Sequence, residues 1–350
     1  MTSQTQTPNN RRKRRTATSR VTMTDVATRA GVSAQTVSRV LRQPELVGDE
    51  VSRRVREAIL ELQYVPNFAA SQMASNRSGI VAAIIPTISA SIFADTVQAL
   101  SDVFVPEGYQ LLLGNNEYDL EKEEELVRSF LGRGPDGLVL SSTHHTEATR
   151  ALILGAKIPV VETWDWEETY LDLMVGHSNV KAARVVMDHF VSRGYRRIVF
   201  AGVTNAGDFR AKARLTGYRA AVKALELDRE RVLTLTGKPL SMASGAETMN
   251  RVFAEFPDAD AVFFSSDVFA AGALLHCVRL GVSVPGDIAI AGFGDFDFSA
   301  HLVPSLTTVS VHAGDIGRTA ANLLLARMRG EAVASSRIDV GFELVPRESS

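Results

Sequence analysis

The chain has 350 residues, 45% of them hydrophobic and 22% charged, which suits two or three compact units and excludes collagen-like, low-complexity and wholly disordered classes. No apolar run reaches the roughly 18 residues of a membrane span, no signal-peptide core follows the basic N-terminus, and Cys277, the single cysteine, offers neither an intrachain disulfide nor a zinc site; a cytoplasmic protein without membrane association is expected. The net charge of −2 conceals an asymmetry, because residues 1–78 carry 13 Lys or Arg against 6 Asp or Glu and the remainder 25 against 34. A basic head that suits a polyanion precedes an acidic body.

Residues 1–20, with the run Arg11, Arg12, Lys13, Arg14 and Arg15, hold too little apolar surface to offset ordering entropy and read as a disordered basic arm. It serves as a solubilising tail or as extra phosphate contact. Residues 21–66 then turn helical. Thr22 and Asp25 have capping-box spacing, Met23, Val26, Ala27 and Ala30 recur at helical intervals, and Gly31 ends the helix. Ser33 is the next N-cap; after it Val37, Val40 and Leu41 fall on one face and Gln35, Ser38 and Arg39 on the opposite one. A third amphipathic helix from Asp49 to about Leu62 supplies Val51, Val55, Ile59 and Leu62 to a three-helix core.

Two short helices joined by a tight Gly-Val-Ser turn form a helix-turn-helix, whose second helix can enter a major groove. Gln pairs bidentately with adenine and Arg with guanine, each worth about 1–3 kcal/mol of discrimination. The rival reading is an ordinary solvated helix face; the turn glycine, the cap and the basic balance together favour DNA. Residues 67–78 begin with an Asn-capped stretch of about two helical turns, too short to be stable alone in water. It reads as a hinge that folds on contact.

The segments MTDVATRAGVSAQTVSRVL and LQYVPNFAASQMAS resemble the LacI family of bacterial repressors, and the likeness extends over nearly everything from Thr22 onward. The resemblance implies Ala34, Gln35 and Arg39 on major-groove base edges, with Thr22, Ser33, Thr36, Ser38 and Asn67 on phosphates. It also implies a hinge helix in the minor groove with Met73 as the wedge, where leucine is usual. Ala34 departs from the larger base-reading side chain of many relatives, and its methyl can touch only a thymine methyl.

The body, residues 79–350, alternates short apolar runs (Ile80 to Pro86, Tyr109 to Leu113, Gly137 to Ser141, Ile158 to Val161, Ile198 to Ala201, Ala261 to Phe264, Ile288 to Ala291) with amphipathic helices. This alternation argues for parallel sheets covered by helices. Gly176 to Asn179 and Gly292 to Ser305 look like passages between two lobes, in keeping with the α/β, two-lobed, periplasmic-binding-protein-like effector domain of the family. Ligands in such folds sit at the carboxyl ends of the strands, in the cleft.

Asp208 opens a helix that carries Arg210 and Arg214 one turn apart, so two guanidinium groups and the free N–H groups of a helix start favour an anion. Arg214, before Leu-Thr-Gly-Tyr, matches the family's effector-binding arginine. Asp295 is a candidate acceptor for sugar hydroxyls, since the position at which relatives first offer an Asp is Gly294 here; Ser266 likewise stands where many relatives have Asn. Phe93 and Trp164, at loop positions after the first and fourth strands, can cover the apolar face of a polyol or pack in the core. Ser141, His145 and Glu162 sit at other strand ends, and the pair His144-His145 lacks a third ligand for a metal.

The stretches SASIFADTVQAL, GPDGLVLSSTHHTEATR, IPVVETWD, LLARMRGEAV and DVGFEL resemble more specifically the gluconate-repressor branch. The implied effector is gluconate or a related sugar acid, with 6-phosphogluconate and 2-ketogluconate satisfying the same charge logic. The implied assembly is a homodimer on a near-palindromic double-stranded operator, since no heptad tail is present for a tetramer. No P-loop and no complete dinucleotide fingerprint is found, so neither an enzyme nor a cofactor is expected; a pure sugar-binding protein is the remaining rival.

Overall fold

A computed structural model describes residues 21–65, 77–88, 91–203, 207–237 and 240–350. The basic arm and the hinge positions Asn67 and Met73 lie outside the described residues. The chain separates into two units, Met1–Asn76 and Arg77–Ser350.

In the first unit, α1 (Met23–Ala30) starts at a complete capping box: Asp25 N–H donates to Thr22 Oγ1 at 3.3 Å and Thr22 N–H to Asp25 Oδ2 at 2.8 Å. Gly31, at φ 68°, closes it in the left-handed region. Ser33 caps α2 (Ala34–Arg42) by accepting from Thr36 N–H at 3.1 Å. With α3 (Asp49–Glu61) these helices bury Val26, Val37, Val40, Val55, Ala58 and Tyr64. Leu41, expected on the core face, is 39% exposed, because a helix this short buries only the narrow stripe of Val37 and Val40. On α3 the burial falls on Ser52, Val55 and Ala58, while Val51, Ile59 and Leu62 are half-buried.

The second unit begins with β1 (Ile80–Ile85), α4 (Ser91–Phe104), β2 (Gln110–Asn115), α5 (Leu120–Leu131), β3 (Gly137–Leu140), α6 (Glu147–Ala156), β4 (Val160–Thr163) and β5 (Leu173–Gly176). The chain then passes into α7 (Asn179–Ser192), β6 (Ile198–Val203), α8 (Phe209–Ala224), β7 (Val232–Leu235), α9 (Met242–Glu255), β8 (Ala261–Phe264), α10 (Asp267–Leu280) and β9 (Ala289–Ala291). It ends with β10 (Thr308–Ser310), α11 (Ala313–Met328), β11 (Arg337–Asp339) and β12 (Glu343–Val345). Two parallel sheets result, β11-β5-β4-β3-β1-β2 in the N-terminal lobe and β7-β6-β8-β9 in the C-terminal lobe. Their central strands are nearly continuous apolar runs buried on both faces, as βαβ crossovers require.

Three passages join the lobes. The first is at Gly176–Asn179. The second lies later than the glycine-rich segment suggested: after β9 the chain stays beside the C-terminal sheet, with Gly292 N–H donating to Thr307 O and Gly294 N–H to Val309 O, both at 2.9 Å, and it crosses only between β10 and α11. The third runs between β11, which pairs with β5, and β12, which pairs antiparallel with β10. Asp267, buried at the start of α10, holds the second region together by accepting from Thr308 Oγ1 at 2.6 Å, Ser299 Oγ at 2.8 Å and Phe296 N–H at 3.0 Å. Burial pushes its carboxyl up to about 6 against the lowering effect of those donors. No helix of the described residues is long and apolar enough to cross a membrane.

Candidate functional site

The head presents Ala34, Gln35 and Arg39 exposed on α2, with Thr36 and Ser38 half-buried beside them. Ser33 Oγ and Thr36 Oγ1 are 2.9 Å apart, so one hydroxyl proton of the pair is left for an outside acceptor. Thr22, expected at a phosphate, is exposed, with its O–H donating to Asp25 Oδ2 at 2.7 Å and its N–H to the same oxygen. These bonds fix the start of α1, and a phosphate at Thr22 would share or compete for the same donors.

Between the lobes lies a cavity of about 490 Å³, lined among others by Phe93, Tyr118, Trp164, His177, Asn179, Asp208, Arg210, Arg214 and Phe293. Arg214 is 9% exposed. Its Nη1 donates to Asn179 Oδ1 at 2.7 Å, its guanidinium carbon sits 4.4 Å from the centre of the Phe293 ring, and its Nε has no partner. Burial lowers its pKa to about 10, with Asp208 opposing the shift. Among the described residues no carboxylate lies within ion-pair distance of it. Arg210 reaches across the cleft, donating from Nη1 to the carbonyl of Ser141 and lying 5.4 Å over Phe93 and 5.9 Å over Tyr118. The helix start is less open than its sequence suggested: Asp208 caps α8 itself, accepting from Ala211 N–H at 3.0 Å.

Phe93 and Trp164 both line the cavity and pack together with ring centres 5.0 Å apart. Phe93, expected in a loop, stands in the first turn of α4. Trp164 follows β4 directly at φ 76°, held by its N–H to Val175 O at 3.1 Å and by Asn179 Nδ2 to its carbonyl at 3.2 Å.

Three expected residues take other positions. Asp295 does not line the cavity but pairs with Arg347 at 2.7 Å. Gly294 cannot be replaced by the family's aspartate without strain, since it has φ 128° and a Cβ there would meet Phe296 at 2.6 Å. Ser141 is buried, with its Oγ donating to Ile84 O at 2.9 Å, and serves Arg210 through its carbonyl. His145 has a fully buried side chain between Glu123 at 2.5 Å and Glu162 at 3.1 Å, away from the cavity. Burial alone would push that imidazole down, but the two carboxylates raise it to about 9, which makes it a structural cation. Ser266 caps α10 and borders the cavity. No group of three or more His, Cys, Asp or Glu side chains is placed to hold a metal among the described residues.

Tyr118, His177, Asn179 and Phe293 are cavity residues that the sequence reading did not single out as ligand contacts. The available signal was position: His177 and Asn179 follow β5 at the first passage, and Phe293 follows β9.

Residues 22–67 match the family described as bacterial regulatory proteins, lacI family, and residues 187–350 match a periplasmic binding protein-like domain. The chain is 38% identical over 333 residues to the HTH-type transcriptional regulator GntR of Pseudomonas aeruginosa, covering 95% of this chain and 96% of that one. The chain belongs to the LacI family. This LacI-family protein is also 36% identical to the HTH-type transcriptional regulator GntR of Escherichia coli K12, over 93% of this chain and 98% of the relative. A crystal structure of a LacI-family transcriptional regulator from Silicibacter pomeroyi matches it with a TM-score of 0.87 and 34% identity, covering 94% of this chain and 99% of that one. The LacI-family chain is thus a DNA-binding transcriptional repressor, with the lacI-family match in its first unit and the periplasmic-binding-protein-like match in its second.

Proposed function

We propose that this repressor controls genes of sugar-acid use in the cytoplasm, and that gluconate or a related aldonate in the cleft releases it from a near-palindromic operator gripped by the two heads of a homodimer. The observation that carries the effector class is Arg214, a buried guanidinium at the cavity whose nearest polar partner is the neutral Asn179. A cation so placed is incompletely compensated, and a carboxylate bound there forms charge-assisted hydrogen bonds in a medium of low dielectric. The family likeness of the segments around β3, β4 and α11 favours gluconate among such acids.

The test is fluorescence anisotropy of a labelled operator fragment with the full chain, titrated with gluconate, 6-phosphogluconate, 2-ketogluconate and glucose. An acid, and not glucose, is expected to weaken operator binding by about 5- to 150-fold, the usual range of an allosteric coupling. A response to glucose with none to any acid refutes the reading. A gain in operator affinity with the acid would assign a corepressor instead.

A further inference from the structure

Four buried polar atoms without a hydrogen-bond partner belong to three residues that line the cavity: both ring nitrogens of His177, Nε1 of Trp164 and Nε of Arg214. Unpaired buried polar groups are destabilising and rare in folded proteins, so several around one cavity mark a surface shaped for something polar. Arg214 accounts for an anion. His177 and Trp164 have no part in that account.

His177 is 1% exposed and stands at the first passage between lobes. Its ring centre lies 6.4 Å from those of Trp164 and Phe293 and 6.3 Å from that of Phe342, which precedes β12 on the third passage. Arg214 lies over the same Phe293 ring and is bonded to Asn179, two residues beyond His177. The anion holder and the histidine therefore flank one aromatic platform. Burial first, and the Arg214 guanidinium second, hold the imidazole far below its usual value, at about 3. A neutral imidazole offers one N–H and one lone pair, which complements a hydroxyl group that both accepts and donates. It complements a second carboxylate poorly and offers no charge to a phosphate.

We propose that His177 reads a hydroxyl on the carbon chain of the acid whose carboxylate rests at Arg214, so that the cleft selects polyhydroxy acids over plain carboxylates. Trp164 Nε1, a donor alone, is placed to add a second hydroxyl contact. This inference rests on the anion reading above and adds the specificity within it.

The experiment is calorimetric titration of the full chain with gluconate and with hexanoate, an acid of equal chain length and charge without hydroxyls, for the native protein, His177→Phe and His177→Gln. Phenylalanine keeps an aromatic ring among Trp164, Phe293 and Phe342 while removing both nitrogens, so the ligand-free variant should melt no lower than the native chain. Gluconate affinity is expected to fall by about 10- to 100-fold in His177→Phe, hexanoate affinity to change by less than about threefold, and His177→Gln to recover most of the loss. Native gluconate affinity in His177→Phe overturns the proposal, as does an equal loss for both acids, which would mark a merely structural ring. Should His177→Phe fail to fold, the gluconate-to-hexanoate ratio of His177→Gln against His177→Leu decides in the same way. If the native protein ignores gluconate but takes 6-phosphogluconate or 2-ketogluconate, and His177→Phe loses that acid selectively, the gluconate reading falls and this one stands. If it takes hexanoate as tightly as gluconate, the anion reading stands and this one falls.

Discussion

Arg214→Met separates the two energies that meet at the proposed anion site. Burial lowers the guanidinium from its usual 12.5 to about 10, a cost to the charged form of about 3 kcal/mol at 1.36 kcal/mol per unit. Because about 10 still lies well above neutrality, the ligand-free protein carries a protonated Arg214 at pH 7 and bears that cost. Methionine keeps an apolar chain against Phe293 and removes the charge, at the expense of leaving Asn179 Oδ1 without its donor, about 1–2 kcal/mol. The ligand-free variant should therefore be more stable by about 1–2 kcal/mol. On the proposed reading the same substitution also removes two charge-assisted bonds to a carboxylate, each about 1.5–3 kcal/mol, so gluconate affinity should fall roughly 10²- to 10⁴-fold. Urea unfolding with and without gluconate reads both. At a hundredfold excess over Kd the native protein gains about 2.7 kcal/mol, and the variant at the same concentration gains almost nothing. A variant that is less stable without ligand yet keeps the full gluconate-induced gain would show that Arg214 is a structural cation and that the anion site lies elsewhere.

In the head, Arg39→Ala should cost about 1–3 kcal/mol of discrimination at one guanine while leaving the helical circular dichroism unchanged; equal weakening on operator and scrambled DNA in a gel shift refutes a base contact. Gly207, in the turn before α8, meets Tyr118 across the cleft, and a Cβ there would sit 1.7 Å from the Tyr118 carbonyl oxygen. Gly207→Ala should hold the lobes apart, lower effector affinity by about tenfold or more, and leave a larger radius of gyration under saturating effector in X-ray scattering; native affinity would refute closure through this contact. His145 is raised to about 9 in the fold, so its contribution, about 3 kcal/mol, is complete below about pH 6.5 and is lost as pH climbs through 9. Unfolding free energies at pH 6 and pH 9.5 should differ by that amount in the native chain and much less in His145→Gln, and a flat native profile refutes the pairing.

What could be read from the residues alone was local. The Thr22–Asp25 box, the Gly31 stop and the Ser33 cap act within four residues of themselves and stand where the spacing put them. Most of the parallel strands announced themselves as apolar runs, but β5 and β7, four residues each, did not. By contrast β10, β11 and β12 are three residues each and include Arg337, Asp339 and Glu343, so no period could expose them, and with them the third passage between lobes went unread. The same division holds at the cleft. Arg214 belongs to a contiguous motif and was legible. Asp295 looked like a free carboxylate until Arg347, 52 residues on, neutralised it, and the adjacent His144 and His145 were split by packing, one stacked on Phe209 and the other buried between two glutamates. His177 was invisible because its defining property, two buried nitrogens with no partner, exists only once the separate segments carrying Trp164, Phe293 and Phe342 are brought around it.

Under the effector reading proposed above, that convergence couples a small acid to the angle between the lobes. A ligand shifts an equilibrium only by its differential affinity for the two states, and here the groups that would grip it are the groups that the hinge is made of: His177 on the first passage, packed against Phe293, and Phe342 on the third. Any change in lobe angle must displace these rings relative to Arg214, so a ligand held by Arg214 and His177 together cannot be indifferent to that angle. The lobes also contact each other directly across the cleft mouth, Arg210 to the Ser141 carbonyl and His144 stacked on Phe209 with ring centres 4.0 Å apart. Contacts of this kind favour the lobe arrangement in which they form. The stronger such contacts are, the tighter an effector that favours the same arrangement binds and the less there is left for it to change, so affinity and switching range at this cleft are tuned in opposite directions by the contacts between the lobes.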